Sequence, residues 1–176
     1  PEHLGLKAGD WVMVRSKEEI LSTLDSHARL EELPFMPQML TYCGQKLLVH
    51  NRAHKVCDTV NETGARKLSN AVVLDDLRCD GQTYGGCEMK CTIIWKEAWL
   101  RRVDDAPTTP LQVGNDRTVP DHRASAIPAG CSESNVMAGT RAREKETDGG
   151  EPVYVCQATQ LPYATQSLPR WAIRQY

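Results

Sequence analysis

Short runs of strand-forming residues, set off by turn residues, recur through the first hundred positions. Gly9-Asp10 leads into Trp11-Val12-Met13-Val14-Arg15, and Lys46-Leu47-Leu48-Val49-His50 and Ala71-Val72-Val73-Leu74 have the same character. Such runs predict strands. Ser16-Lys17-Glu18-Glu19 fits a capping box, and Ile20, Leu21 and Leu24 follow at helical spacing. Together they predict a short helix over about 17–25. Leu33-Pro34-Phe35-Met36-Pro37 must be extended, because each Pro pushes its predecessor out of the α region. Cys91 to Val103 carries both periods: Ile94 with Ala98 and Trp95 with Trp99 are helically spaced, whereas Thr92-Ile93-Ile94-Trp95 reads as a strand. The pattern predicts a mainly β protein with short helices (α+β). Its form would be a small SH3-like or partly open barrel with a long irregular C-terminal extension. The SH3 likeness rests on the Gly-Asp-Trp-Val-Met-Val opening and licenses no function.

The pattern divides the chain into a Cys-rich barrel-like domain over 1–103, a connector over 104–152 and a C-terminal segment over 153–176. The connector holds five Pro, five Gly, nine acidic residues and no aromatic one. Such a stretch buries too little apolar surface to offset its ordering entropy. The last segment regains apolar character at Val153, Tyr154, Val155, Leu161 and Trp171 and is expected to pack back on the domain. With 21 basic against 23 acidic side chains the chain lacks the cationic excess of a nucleic-acid binder. No apolar run approaches the ~18 residues of a membrane span. The expected compartment is the cytoplasm, with a lost leader as the alternative, because the sequence opens at Pro1 without an initiator Met.

Composition adds one outlier, seven cysteines beside a single Phe. An odd count cannot be a fully paired disulfide set. Cys79, Cys87 and Cys91 fall within thirteen residues, with Gly81, Gly85 and Gly86 between them. Soft metals select converging thiolates, and glycines let the backbone turn tightly and bring amides near sulfur. Cys57 is the nearest upstream thiol and completes the expected ligand set Cys57, Cys79, Cys87 and Cys91. Cys156, Cys43 and His54 are the alternates, and Cys131, in the connector, is the least suited. The irregular, Gly-rich spacing favours an iron–sulfur cluster over zinc, since it matches no paired zinc knuckle. Asp58, Asp80 and Trp95 are the residues expected to orient or screen such a centre.

Other chemistry finds little support. Asp75-Asp76 reads as turn residues after a strand, and Glu97, beside Lys96, as an exposed ion pair on an aromatic ridge. No Gly-x-Ser-x-Gly, P-loop or Gly-x-Gly-x-x-Gly pattern is present. No catalytic residue is assigned, and a cofactor-free thiol enzyme ranks last because no cysteine has a His partner in sequence.

Several motifs together resemble an uncharacterised bacterial family of Cys-rich hypothetical proteins. They are Leu33-Pro34-Phe35-Met36-Pro37-Gln38-Met39-Leu40 with Cys43-Gly44, His54-Lys55-Val56-Cys57-Asp58, Arg78-Cys79-Asp80-Gly81, Gly85-Gly86-Cys87 with Cys91, and Trp95-Lys96-Glu97-Ala98-Trp99-Leu100. The resemblance covers about 8–103 and again Cys156-Gln157-Ala158-Thr159. Family members often carry His where this chain has Tyr84. The resemblance groups the motifs and implies no activity. The expected function is that of a metal-binding, iron–sulfur redox protein or an accessory subunit of a larger redox complex. The alternative is a zinc-stabilised SH3-like interaction module; a protein partner is expected in either case.

Overall fold

The structure, a computed structural model, describes residues 3–103, 131–141 and 153–169. Ten strands and three α-helices are described: β1 (Trp11–Val14), α1 (Lys17–Leu21), β2 (Arg29–Leu30), β3 (Leu33–Pro34), β4 (Lys46–Arg52), β5 (Lys55–Asp58), β6 (Gly64–Lys67), β7 (Ala71–Arg78), β8 (Thr92–Lys96), β9 (Leu100–Arg102), α2 (Glu133–Ala138), α3 (Gln157–Ala164) and β10 (Gln166–Ser167). Two 3-10 turns, Pro37–Tyr42 and Glu97–Trp99, complete the order. The main sheet is antiparallel with order β8-β7-β4-β1-β9, and β10-β6-β5 form a second, smaller sheet. The fold is mainly β with short helices, an α+β arrangement around a partly open barrel.

The connectivity explains the curl. Strands β8 and β9 lie on opposite edges of five strands, yet only Glu97–Trp99 separate them. A flat sheet would set those edges about 19 Å apart at ~4.8 Å per strand. Three residues in a 3-10 turn rise only about 6 Å. The sheet therefore closes on itself far enough for one turn to join its edges. A register shift between Val49 and Asn51 in the β4–β7 pairing adds twist on the way. The ambiguity over 91–103 resolves as strand, turn, strand.

The concave side buries Phe35, Trp95 and Trp99 as edge-to-face neighbours, with Phe35 5.1 Å from Trp99 and 6.3 Å from Trp95 between centroids. Leu6, Ile20, Met39, Leu74, Ile93 and Leu100 fill the space around them. At α1 the Ser16–Glu19 capping box is present. The helix stops at Leu21 because the Ser22 and Thr23 hydroxyls bond back to the Glu19 and Ile20 carbonyls.

Glu97 corrects the reading of an exposed pair with Lys96. It is buried, and its carboxylate accepts the amides of Leu4, Gly5 and Leu6 and lies 2.9 Å from His3 Nδ1. Lys96 pairs instead with Glu31 at 2.6 Å. Burial alone would raise the Glu97 pKa. The His3 ring and the three amides outweigh it and hold the carboxyl below its ordinary value.

Within the stretch expected as connector, the described residues 131–141 include α2, with Val136 and Cys131 buried. The remainder of that stretch, and Trp171, lie outside the described residues.

Candidate functional site: a four-thiol pocket

Residues 79–91 form a compact loop between β7 and β8. The Cys79 amide donates to the Cys91 carbonyl at 2.8 Å, which closes the loop at its base. Inside it, the Tyr84 and Gly86 amides donate to the Gly81 carbonyl, and the Cys87 amide donates to the Tyr84 carbonyl. Gly81 has φ +73°, and a Cβ there would sit 1.8 Å from the Cys87 carbonyl oxygen, so no other residue fits this chain crossing. Gly85 is pressed against the Tyr154 ring, which also packs edge-on against Tyr84. The glycines thus serve close packing as much as turning.

The C-terminal segment reaches this loop through a set of polar anchors. Gln157 is buried, and its side-chain amide accepts from the Ile94 amide and donates to the Ile94 carbonyl, both at 2.8 Å, and to the Pro34 carbonyl at 3.0 Å. It therefore mimics a neighbouring strand along the edge of β8, where ladder groups would otherwise be unpaired. Pro162, inside α3, cannot donate to the Ala158 carbonyl four residues back. Asn61 Nδ2 donates to that carbonyl at 3.3 Å, and Asn61 is held in turn by Asp58 Oδ1. Arg66 grips the far end, donating to the Pro162 and Thr165 carbonyls and to the Ser167 hydroxyl. These contacts fix Cys156, the N-cap of α3, next to the loop.

Four cysteines consequently line one small pocket: Cys79, Cys87, Cys91 and Cys156, with Met36, Tyr84 and Gln157 among its other walls. Its volume is about 40 Å³. Cys79 is buried and receives a hydrogen bond from Gln38 Nε2 at 3.2 Å and one from the Gly81 amide. Burial raises the Cys79 pKa against those two donors. Burial raises that of Cys91 as well, and the charges of Cys156, Cys79 and Cys87 add to it. Tyr84 is raised first by burial and then by Cys156 and Cys79. Burial is the main cause of each of these shifts, and the neighbouring cysteines add to it. Among the described residues no group of three or more His, Cys, Asp or Glu stands in metal-holding proximity as placed.

The other residues singled out in the sequence lie elsewhere. Cys57 is exposed on β5 and lines an adjoining cleft, which shares Cys91 with the pocket. Cys43 follows the 3-10 turn Pro37–Tyr42, within the fields of Lys17 and Glu133. His54 is exposed. Asp58 spends its carboxylate on Asn61 and Thr63, holding the β5–β6 turn. Asp80 Oδ1 accepts the Gln82 amide in a local turn, and Trp95 lies in the barrel core against Phe35 and Tyr42. Gln157 was missed as a positioning residue. A glutamine carries no signal in sequence until the strand edge it completes is known.

Comparison with known proteins finds no matching family model, no matching curated protein and no matching solved structure. The fold defines a partly open α+β barrel, and the site is characterised by its thiols alone.

Proposed function

We propose that this protein binds one soft metal ion, zinc, through Cys79, Cys87, Cys91 and Cys156, and that the ion ties the C-terminal segment to the barrel. The observation that carries the reading is the convergence on one pocket of three loop cysteines and a fourth from a remote segment. Four thiols form a donor set suited to tetrahedral zinc. At about 40 Å³ the pocket is small beside the adjoining cleft of about 450 Å³, and it suits a compact ion better than a larger group. Bringing the sulfurs to bonding distance requires the loop to tighten, and ion binding would supply that energy.

An iron–sulfur centre is the second reading, favoured by the hydrogen bonds to Cys79 from Gln38 and Gly81. It would confer electron transfer, or a subunit role in a larger redox complex, and would need the pocket to open. In the zinc reading the barrel is an interaction module without redox chemistry. Elemental analysis of protein purified without oxygen, with its visible absorption spectrum, tests both. One zinc per chain and no visible absorption supports the first reading, and iron with absorption near 400 nm the second. Metal-free protein whose melting is unaffected by added zinc sinks both.

A further inference from the structure

Two of the pocket's thiols stand in a relation that metal binding does not require. Strands β7 and β8 are antiparallel with Arg78 opposite Thr92, and the Arg78 guanidinium donates to the Thr92 hydroxyl at 2.7 Å across the pair. One step further along the same register Cys79 is opposite Cys91, and the Cys79 amide donates to the Cys91 carbonyl at 2.8 Å. Side chains alternate along a strand. The Arg78–Thr92 pair therefore faces solvent, and the Cys79–Cys91 pair turns to the other side, where both cysteines line the thiol pocket. Residues opposite one another in an antiparallel ladder have Cα atoms about 4.5–5.5 Å apart. A disulfide spans roughly 4.4–6.8 Å between Cα atoms, so the register puts this pair at bridging distance. Cys57, on β5, stands opposite Ala65 instead.

We propose that Cys79 and Cys91 form a reversible disulfide when the protein meets hydrogen peroxide, and that this bond competes with metal for the pocket. Cys91 is half-buried and Cys79 buried, so the Cys91 thiolate is the one that meets the oxidant. Its sulfur attacks one peroxide oxygen; an S–O bond forms as the O–O bond breaks, and the displaced hydroxide takes up the proton that Cys91 had released and leaves as water. The Cys79 sulfur then attacks the sulfenic sulfur. The S–S bond forms, the S–O bond breaks, and the departing hydroxide takes the Cys79 thiol proton as a second water. Two thiols thus give up two electrons to one peroxide. Gln38 Nε2, which donates to Cys79 Sγ at 3.2 Å, holds that sulfur in place for the second step. The bond removes two of the four donors, and Cys87 and Cys156 alone cannot keep a tetrahedral ion. The disulfide stands on the strand register; only its competition with metal rests on the proposed function.

The full-length protein, purified without oxygen, is treated with hydrogen peroxide and its remaining thiols are blocked with N-ethylmaleimide. Its disulfides are then mapped by mass spectrometry without reduction. Chymotrypsin, cutting after Tyr84, and trypsin, cutting after Lys90, separate Cys79, Cys87 and Cys91 into three peptides. The expected result is a dominant link between the Cys79 and Cys91 peptides that dithiothreitol reverses. Metal content is measured on the same samples, and one ion should be lost per disulfide formed. A dominant link through Cys87 or Cys156, oxidation of Cys79 or Cys91 to sulfinic acid without a link, or no change at either residue would each overturn the disulfide. Metal kept in full by protein that carries the link would overturn the competition. Protein that holds no metal yet forms the link supports the disulfide and sinks the metal reading, so the two failures are told apart.

Discussion

The barrel core and the thiol loop lie a few residues apart in sequence and are stabilised by different physics. Residues 93–100 place Ile93, Trp95, Trp99 and Leu100 at no exposure, so that segment is held by apolar burial and ring packing. Residues 80–90 bury only Gly81 and Tyr84 and carry four residues with positive φ: Gly81, Gly85, Gly86 and Lys90. That loop has little apolar surface to withdraw from water, and it holds its shape by internal hydrogen bonds and by Gln157, Tyr154 and Cys156 arriving from far along the chain. Under the proposed function, a metal would supply the term the loop lacks, and the core would not need it. Substitutions in the two regions should therefore differ in kind as well as size.

The largest effect is expected at Trp99, whose ring packs on Phe35 and whose indole N–H reaches Thr23 Oγ1 at 3.2 Å. Trp99→Ala should cost about 3–5 kcal/mol in denaturant unfolding, whether or not metal is present. Glu97→Gln comes next. Its carboxylate serves three backbone amides, and hydrogen bonds to a charged group are worth about 1.5–3 kcal/mol each, so a loss of roughly 3 kcal/mol is expected. The pH dependence fixes the sign. Because the folded pKa of Glu97 is lowered, its stabilisation is present above the unfolded value, about 4.3, and is lost as pH falls through the lower folded value. Acid unfolding followed by circular dichroism should therefore be blunted in Glu97→Gln relative to the parent protein.

Gln157→Ala is expected to cost about 2 kcal/mol, because it leaves buried groups of Ile94 unpaired. Unlike the core variants, it should also weaken metal retention by freeing Cys156, which parallel melting and metal titration would show. Gly81→Ala meets the Cys87 carbonyl and forces the loop to shift, so it should cost more than the ~1–2 kcal/mol of the left-handed backbone alone and lose metal affinity outright, while the barrel stays folded. Equal metal retention in Gly81→Ala and the parent would erase the contrast between the two regions. Cys43→Ala, outside both, should shift stability by less than about 0.5 kcal/mol and leave metal content unchanged.

Local signals carried much of the fold into the sequence. The Ser16–Glu19 box, the strand at Trp11–Val14 and the strands opening at Lys46 and Ala71 depend on neighbours within a few residues. Glu97 was misread because its partners are the amides of residues 4–6, some ninety positions away, and a carboxylate beside a lysine looks solvated until that strap is folded over it. The grouping of Cys79, Cys87 and Cys91 was legible from spacing, with the companion thiol left between Cys57 and the alternate Cys156. Spacing alone puts Cys57 nearer, whereas the structure brings Cys156 to the pocket through Gln157, Asn61 and Arg66, acting on a segment whose composition says nothing of where it docks.

The choice between those two cysteines tests the account most directly. Metal content is measured on Cys57→Ser and Cys156→Ser proteins purified side by side with the parent and with Cys79→Ser. The account predicts that Cys57→Ser keeps the parent's full complement, while Cys156→Ser and Cys79→Ser lose it and melt at lower temperature. Retention by Cys156→Ser with loss in Cys57→Ser would contradict the four-thiol pocket, as would metal content that none of the substitutions alters.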